Sequence, residues 1–483
     1  MLSRRGVFRL GAVAAGAAVV PGSAAALGRR DRAWADVAVP PPFSVPLTVP
    51  EAAVPVRRTA TTDYYDMTIK HAAAEILPGV STSIMGYDGR FPGPTIRAEA
   101  GRRVVVRQTN AMMHETVVHL HGGLVPPGQD GHPADAIAPG AQRQYVYDNR
   151  QPSATLWYHD HSHHMEAEMV FRGLAGFYLV KDPRERGLGL PSGRYDVPLM
   201  LRDARFDEQG QFLFEMDDFR YRNTLLVNGR PQPYMRVDAR KYRLRLLNGS
   251  NERYFTLRLG EGEGQGEGDA MTVIASDGGL LPAPLTATSV MLSPAERVDV
   301  VVDFSRYRPG TQVVLHNTDG TSEETTNVMR FDVGHRVPDF SRVPERLGRA
   351  ADLGEAIVTR DVNMNLDLTI GQFVIDGKTF DMDRVDTRIK RGETEIWRVH
   401  NRDVRPSVPH NFHVHGTHFQ VLDRNGQPVT GHEAGRKDTV AVPIGGDVRI
   451  KVRFDRYLGR YLYHCHLLDH SSMGMMAQAE VIG

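Results

Sequence analysis

A pattern that occurs three times along the chain constrains its fold more than any other feature. Each copy contains a strand led by arginine, a turn, a second strand and a closing asparagine. The copies are RAEAGRRVVVRQTN, ending at Asn110, RVDARKYRLRLLNGS, with Asn248 in the matching place, and RIKRGETEIWRVHN, ending at Asn401. The intervals between these asparagines, roughly 140 and 150 residues, are too long for a solenoid unit and fit tandem domains.

The segments between the copies alternate polar and apolar residues over short lengths. RRVVVRQ, RVDVVVDF and DVRIKVRF are examples, and Gly, Pro, Asn and Asp separate such runs. This alternation is typical of antiparallel strands in β-sandwiches, whereas long apolar patterns at helical spacing are scarce. We therefore predict an all-β chain of three tandem sandwich domains, at residues 60–185, 190–340 and 350–483. A Pro-rich linker or strap, residues 27–59, precedes them and crosses the first domain.

The histidines occur in pairs that a metal site would explain. Eight of the 20 histidines lie in four His-x-His pairs. Because residues i and i+2 of a strand point to the same face, each pair aims two imidazoles in one direction. One pair alone is common on exposed strands, but four pairs in one chain indicate metal binding. The pairs are His119/His121, His159/His161, His413/His415 and His464/His466.

These pairs belong to the first and third copies of the repeat. In each copy one pair follows the closing asparagine and a second pair closes the domain, in LWYHDH and in YLYHCH, whereas the middle copy supplies only His316. HDHSHH also allows a pair His161/His163, but the match to YLYHCH favours His159/His161 and leaves His163 and His164 as outer or surface groups. We therefore expect one metal cluster between domains one and three, with domain two as a spacer.

Cys465 is the only cysteine, so it cannot form a disulfide within the chain. It aligns with Asp160 and should point to the strand face opposite its two histidine neighbours, where it could bind a different metal. Two His and one Cys with a weak axial Met form the blue-copper arrangement, and His410, His470 and Met475 are placed to complete it. A buried structural cysteine and a core methionine are the alternatives, and structural zinc sites favour more cysteines. With about 3.5 Å per residue, the two metal sites would lie on the order of 10 Å apart.

Four ordered motifs, HLHG, HDH, HNFHVHG and HCHLLDHSSMGMM, resemble the copper motifs of the three-domain multicopper oxidases, which include laccases, bilirubin oxidase and cuprous oxidases. The resemblance covers essentially the whole chain after its first 26 residues, which are predicted to be an export signal. It implies cupredoxin-like Greek-key domains and about four copper ions, one of type 1, one of type 2 and two of type 3. The ligands that it implies are His410, Cys465, His470 and Met475 for type 1, His119 and His413 for type 2, and His121, His159, His161, His415, His464 and His466 for type 3.

The resemblance also implies a reaction. A reducing substrate such as a phenol or aryl amine would lose single electrons at Cys465 and its copper, and dioxygen would be reduced to water at the cluster. Asp130, in GQDGHP, matches a carboxylate that the family keeps near the cluster, although an aspartate before Gly131 is also typical of a turn. Many bacterial relatives carry a glutamate where this chain has Ser471.

These motifs also allow other functions. The main alternative is a cuprous or ferrous ion oxidase in metal tolerance, but the segment before HNFHVHG is short and poor in methionine, unlike that of the cuprous oxidases. A non-catalytic homologue, for example one associated with cell division, should lack ligands, and a copper nitrite reductase should have two domains. Phenol oxidation that required excess copper would favour the metal oxidase.

Charge and the first residues of the chain bear on its location and partners. Lys+Arg and Asp+Glu number 58 each, so no nucleic-acid or acidic-lipid partner is indicated. The first 26 residues combine Ser3-Arg4-Arg5 with a short apolar run, which predicts a twin-arginine signal and export to the periplasm or outside, with an ordinary secretory signal as the alternative. We expect a monomer with no membrane span, whose partners are dioxygen and a small reductant.

EGEGQGEGDA, residues 261–270, is predicted to be a solvated hairpin loop.

Overall fold

The computed structural model describes residues 38–216, 218–262, 268–350, 352–403 and 409–483. The predicted signal segment and the centre of the predicted hairpin loop, residues 263–267, lie outside these residues. The all-β prediction is confirmed, because the described chain forms three successive pairs of sheets with only a few short helices. None of the helices in the described part is long and apolar enough to cross a membrane.

The first sandwich packs two sheets around one apolar core. One sheet has the strand order β1-β2-β5-β7, with β3 also pairing with β2, and the other has the order β4-β9-β8-β6. The elements are β1 Arg57–Arg58, β2 Thr62–Glu75, β3 Ser81–Tyr87, β4 Gly93–Glu99, β5 Arg103–Asn110, β6 Val118–His121, β7 Gln142–Tyr147, β8 Ala154–Asp160, α1 Glu166–Phe171 and β9 Ala175–Lys181.

The second sandwich has sheets of seven and five strands, in the orders β12-β11-β10-β14-β19-β16-β17 and β13-β21-β20-β15-β18. Its elements are β10 Asp196–Ala204, β11 Thr224–Val227, β12 Arg230–Pro231, β13 Tyr234–Ala239, β14 Lys241–Asn248, β15 Phe255–Glu261, β16 Met271–Ser276, β17 Gly279–Ala287, β18 Ser289–Leu292, β19 Arg297–Asp303, β20 Gln312–Asn317, α2 Glu323–Thr326 and β21 Asn327–Arg336.

The third sandwich has one sheet in the order β23-β22-β25-β31-β27-β28, with β29 also on β27, and a second in the order β24-β33-β32-β26-β30. Its elements are β22 Val358–Asp367, β23 Gln372–Ile375, β24 Thr387–Lys390, β25 Thr394–Asn401, β26 His410–Val414, β27 Phe419–Arg424, β28 Gln427–Pro428, β29 Arg436–Lys437, β30 Thr439–Val442, β31 Asp447–Arg453, β32 Gly459–His464, α3 Leu468–Ser472 and β33 Met476–Ile482.

The repeated asparagine ends the same strand in each sandwich. Asn110, Asn248 and Asn401 are the last residues of β5, β14 and β25, and each of these strands pairs in parallel with the sandwich's β2, β10 or β22. Each buried Oδ1 accepts a hydrogen bond from the main-chain N–H two residues further on, at 2.8–3.0 Å. The asparagine therefore turns the chain out of the sheet, which explains its recurrence.

The Pro-rich segment is extended where it is described. Ala53 donates its N–H to the Thr95 carbonyl in the first sandwich (2.8 Å), and Phe43 donates to the Gln232 carbonyl in the second (2.8 Å). The strap therefore lies against two sandwiches rather than the first alone. The predicted limits of the three domains stay predictions.

Candidate metal centres

Each His-x-His pair lies where a strand ends. His119 and His121 are in β6, whereas the other three pairs straddle the ends of β8, β26 and β32. Within each sandwich the two strands are antiparallel neighbours, and the register sets His119 opposite His159 in the first and His413 opposite His464 in the third. The first and the third sandwich therefore each present four imidazoles at one edge, and all eight are buried.

The two edges face each other. The His119 ring stacks on that of His415 with centroids 3.9 Å apart, and the His121 ring stacks on that of His413 at 3.8 Å. His161 and His464, from different sandwiches, bring their Nε2 atoms to 3.3 Å. The structure thus brings together all eight predicted imidazoles, and the cleft between the first and third sandwiches is where they meet.

The imidazoles form triads whose nitrogens lie within 4.8 Å of one another: His121 with His159 and His466, and His161 with His415 and His464. A further triad joins His119 and His413 with His121. In the second triad the Nε2 atom of His464 is only 3.0 Å from that of His415. Unprotonated ring nitrogens so close repel each other unless a cation lies between them, so this donor set fits a metal ion.

Main-chain carbonyls fix the tautomer of four of these rings. Nδ1 of His119 lies 2.6 Å from the Asp130 carbonyl, and His159, His413 and His464 make similar contacts at 2.8 Å. A carbonyl can only accept, so Nδ1 carries the hydrogen and Nε2 keeps its lone pair for a metal. Burial lowers the pKa of His119 to about 3 and that of His464 to about 4, so these rings are neutral at neutral pH, the form in which an imidazole can bind a metal.

Asp130 lies at the cluster, as the family resemblance implied. Its Oδ2 is 2.7 Å from Nδ1 of His415, while its carbonyl holds His119. Burial raises the pKa of Asp130 well above its usual range, and its Oδ1 has no hydrogen-bond partner in the described residues. The side chain thus joins rings from two sandwiches and keeps one oxygen for a proton.

The second sandwich does more than space the other two. Arg297, at the start of β19, is fully buried and donates from Nη1 and Nη2 to both oxygens of Asp438 in the third sandwich, at 2.6 Å each. Oδ1 of Asp438 is 3.0 Å from Nε2 of His121 in the first sandwich. One chain of contacts therefore crosses all three sandwiches and orients a ring of the cluster, so the prediction of a mere spacer is incomplete.

A separate donor set lies inside the third sandwich. Sγ of Cys465 is 3.7 Å from Nδ1 of His410 and 3.7 Å from Nδ1 of His470, and these nitrogens are 3.1 Å apart. A point equidistant from the three atoms lies about 2 Å from each, close to an ordinary metal–nitrogen bond length. Without a metal, burial raises the pKa of the Cys465 thiol to about 12, so a bound cation is needed to hold the thiolate that copper prefers.

Neighbouring groups hold this second set in place. Nε2 of His410 lies 2.7 Å from Oδ2 of Asp403, so Nε2 carries the hydrogen and the lone pair of Nδ1 is available to a metal. The ring of His470 stacks on Phe373 at 3.9 Å. Met475 is fully buried beside the set, since its carbonyl accepts from Cys465 N and its N–H donates to the His470 carbonyl, both at 3.1 Å.

Asp160 of the first sandwich occupies the position that matches Cys465 of the third. Asp160 is buried and accepts hydrogen bonds from the main-chain N–H groups of Val117 (3.1 Å) and Ser162 (2.8 Å). It therefore fastens a loop in the first sandwich, whereas the matching position in the third sandwich holds Cys465 of the Cys–His₂ set. His163 and His164 lie outside the cluster, with Nδ1 of His164 2.8 Å from the Ser472 carbonyl.

Sequence reasoning missed the groups that orient the ligands: Asp403, Asp438, Arg297 and Glu166. Arg297 left one signal, because it is a charged residue at the head of the apolar strand RVDVVVDF, and a fully buried arginine requires a carboxylate partner. The identity of that partner could not be read from the chain, since 141 positions separate Arg297 from Asp438.

A Cys–His₂ set in one sandwich and a histidine cluster between two sandwiches define a class of redox metalloprotein with two kinds of copper site. Sequence profiles of the family described as multicopper oxidase match residues 68–185, 157–333 and 356–482. The chain belongs to the multicopper oxidase family, and it is a copper oxidoreductase that uses dioxygen as acceptor.

Individual relatives cover nearly the whole chain. A laccase of Bacillus stratosphericus is 33% identical across 90% of this chain and 98% of its own length. Bilirubin oxidase of Albifimbria verrucaria is 34% identical across 90% of this chain and 81% of its own. The crystal structure of a laccase from Pediococcus acidilactici has a TM-score of 0.84 and 35% identity, covering 92% of this chain and 95% of that one.

Proposed function

We propose that this protein is a laccase-like oxidase that takes single electrons from phenols or aryl amines and reduces dioxygen to water. The observation that carries the proposal is the pairing of two donor sets: Cys465 with His410 and His470, and eight imidazoles in the adjoining cleft. A single set would suit electron transfer alone, whereas dioxygen needs several metals close together because it takes up four electrons.

In this proposal His410, Cys465, His470 and Met475 hold the type 1 copper. The type 2 copper takes His119 and His413, whose Nε2 atoms are buried without hydrogen-bond partners among the described residues. The type 3 pair takes the two remaining triads, His121 with His159 and His466, and His161 with His415 and His464. When bound, copper supplies one-electron redox chemistry between the reductant and dioxygen.

The protein's own residues supply connection, orientation and protons. Cys465 is bonded in sequence to His464 and His466, so a single residue joins the two donor sets, and Nδ1 of His464 lies 2.8 Å from the Cys465 carbonyl. Asp130 orients His119 and His415 and has one carboxyl oxygen free to hold a proton for dioxygen reduction.

The choice of reductant rests on two features. The relatives named above are a bacterial laccase, a fungal bilirubin oxidase and a second laccase, and this chain lacks the long Met-rich segment of cuprous oxidases before HNFHVHG. A cuprous or ferrous ion oxidase is the competing assignment, and the assay below separates the two.

We also propose that the protein is exported folded through the twin-arginine route to the cell envelope. Ser3-Arg4-Arg5 and the short apolar run that follows support this. Changing both arginines to lysine should leave the protein in the cytoplasm, as cell fractionation would measure; unchanged export would contradict the proposal.

Absorption and oxygen uptake test the function together. The copper-loaded protein should show an intense band at about 600 nm from copper bound to the cysteine thiolate, and it should consume oxygen with a phenol when no extra copper is added. Absence of the band would remove the type 1 assignment. Phenol oxidation that appears only with excess copper, beside direct turnover of Cu(I), would replace the laccase assignment with a metal oxidase.

A further inference from the structure

The helices α1 and α3 meet directly behind the cluster, and a buried carboxyl group lies where they touch. Glu166, the first residue of α1, is 1% exposed. Its Oε1 accepts a hydrogen bond from the Ser471 hydroxyl in α3. Its Oε2 lies 3.2 Å from Nδ1 of His161. Neither of these two buried atoms has a hydrogen-bond partner among the described residues, so a small adjustment of either side chain would pair them.

His161 differs from five of its neighbours in the group that faces its Nδ1. In these five rings Nδ1 lies against an oxygen: a main-chain carbonyl for His119, His159, His413 and His464, and the Asp130 carboxylate for His415. Nδ1 of His466, like that of His161, has no hydrogen-bond partner among the described residues. Nε2 of His161 faces Nε2 of His464 at 3.3 Å. In the described part of the chain, the oxygen found close to Nδ1 of His161 is Oε2 of Glu166.

A carboxylate behind a ligating imidazole fixes the ring's tautomer and orientation and strengthens the ligand. Burial raises the pKa of Glu166 to about 8, and in its ionised form the carboxylate can accept from Ser471 at one oxygen and from His161 at the other. Glu166 does not stand alone, since Ala167 N donates to the Ser472 hydroxyl oxygen (3.1 Å) and fastens α1 to α3 at the next residue.

We propose that Glu166 is the positioning residue that holds His161 with its Nε2 free for copper. Ser471, which belongs to the third sandwich, fixes this carboxyl group through its hydrogen bond. Ser471 touches Glu166, so a carboxyl group at position 471 would reach the same space. The inference rests on the proposed role of His161 as a copper ligand.

Glu166→Met tests the proposal, because methionine keeps the length of the side chain and removes both oxygens. In copper-free, full-length protein labelled with ¹⁵N-histidine, the wild type should show His161 as the single Nδ1–H tautomer, and the variant should show both tautomers. The concentration of a competing chelator that strips copper from the cluster should fall about 10- to 100-fold. Adding Ser471→Glu to Glu166→Met returns a carboxyl group and should restore both readouts.

Glu168→Ala is the matched control, because its carboxylate is on the same helix and pairs with Arg172 near the surface; both readouts should stay within twofold of wild type. If Glu166→Met does not fold, Glu166→Thr, which is too short to reach His161, carries the same expectation. A single His161 tautomer and unchanged chelator resistance in the variant would overturn the proposal. Wild-type protein that binds no copper would instead refute the proposed function, since the tautomer measurement needs none.

Discussion

Replacing Arg297 with methionine should destabilise the whole protein, although this residue contacts no proposed substrate. The guanidinium is fully buried and makes five hydrogen bonds: two to Asp438 at 2.6 Å, and one each to the carbonyls of Thr155, Ala295 and Asp277 at 2.9–3.2 Å. Arg297→Met removes all five and leaves the Asp438 carboxylate buried without its cation.

Breaking one side of a buried ion pair costs about 3–5 kcal/mol, because the remaining charge keeps its desolvation penalty. For cooperative units of 150–250 residues, 1 kcal/mol lowers the melting temperature by about 2–4 °C, so Arg297→Met should lower it by roughly 6–20 °C. The measurement is thermal unfolding of copper-free protein, followed by circular dichroism, so that lost metal binding does not add to the shift.

Two comparisons isolate the cause. Adding Asp438→Asn to Arg297→Met removes the orphaned charge and should recover part of the lost stability. Arg103→Met, which breaks a half-exposed pair with Asp148, should cost at most about 1 kcal/mol. A melting temperature for Arg297→Met within the range of Arg103→Met would refute the role given to this residue.

Three further predictions concern the sites themselves. Cys465→Ser should abolish the band at about 600 nm and oxidase turnover while leaving the cluster's copper in place, which copper analysis per chain would check. Asp130→Asn should slow oxygen consumption roughly 100-fold without changing that band, since it removes a proton-holding oxygen beside the cluster; unchanged turnover would contradict this. Copper-free protein should lose stability as the pH falls from about 6.5 towards 4, because unfolded histidines take up protons that buried ones such as His119 and His464, with pKa values of about 3 and 4, refuse; a melting temperature flat over that range would contradict it.

The grouping of the proposed ligands could be predicted from the chain because their chemistry leaves a local signature. His-x-His spacing follows from the two-residue period of a strand, and the order of the four motifs follows from the order of the repeats. The placement of Cys465 could be predicted only in outline. It was expected on the strand face opposite its neighbours, whereas β32 ends at His464 and Cys465 begins the turn into α3.

The groups that orient the ligands could not be predicted, because they act between segments far apart in sequence. Glu166 and Ser471 are separated by 305 positions, and His121 and Asp438 by 317. Each is an ordinary polar residue in its own segment, and only the docking of the sandwiches shows which of them meet. Long-range pairing of this kind has no local period to read.

The two donor sets therefore differ in what they require of the fold. His410, Cys465, His470 and Met475 all belong to the third sandwich, whose apolar core includes Cys465 and Met475, so this set can exist once that sandwich has folded. The cluster takes four imidazoles from each of the first and third sandwiches, and Arg297 of the second sandwich fixes one of them through Asp438. The free energy of copper binding at the proposed cluster would therefore also stabilise the association of the sandwiches. For the same reason, a substitution at any interface between the sandwiches should weaken copper binding at the cluster before it affects the cysteine site.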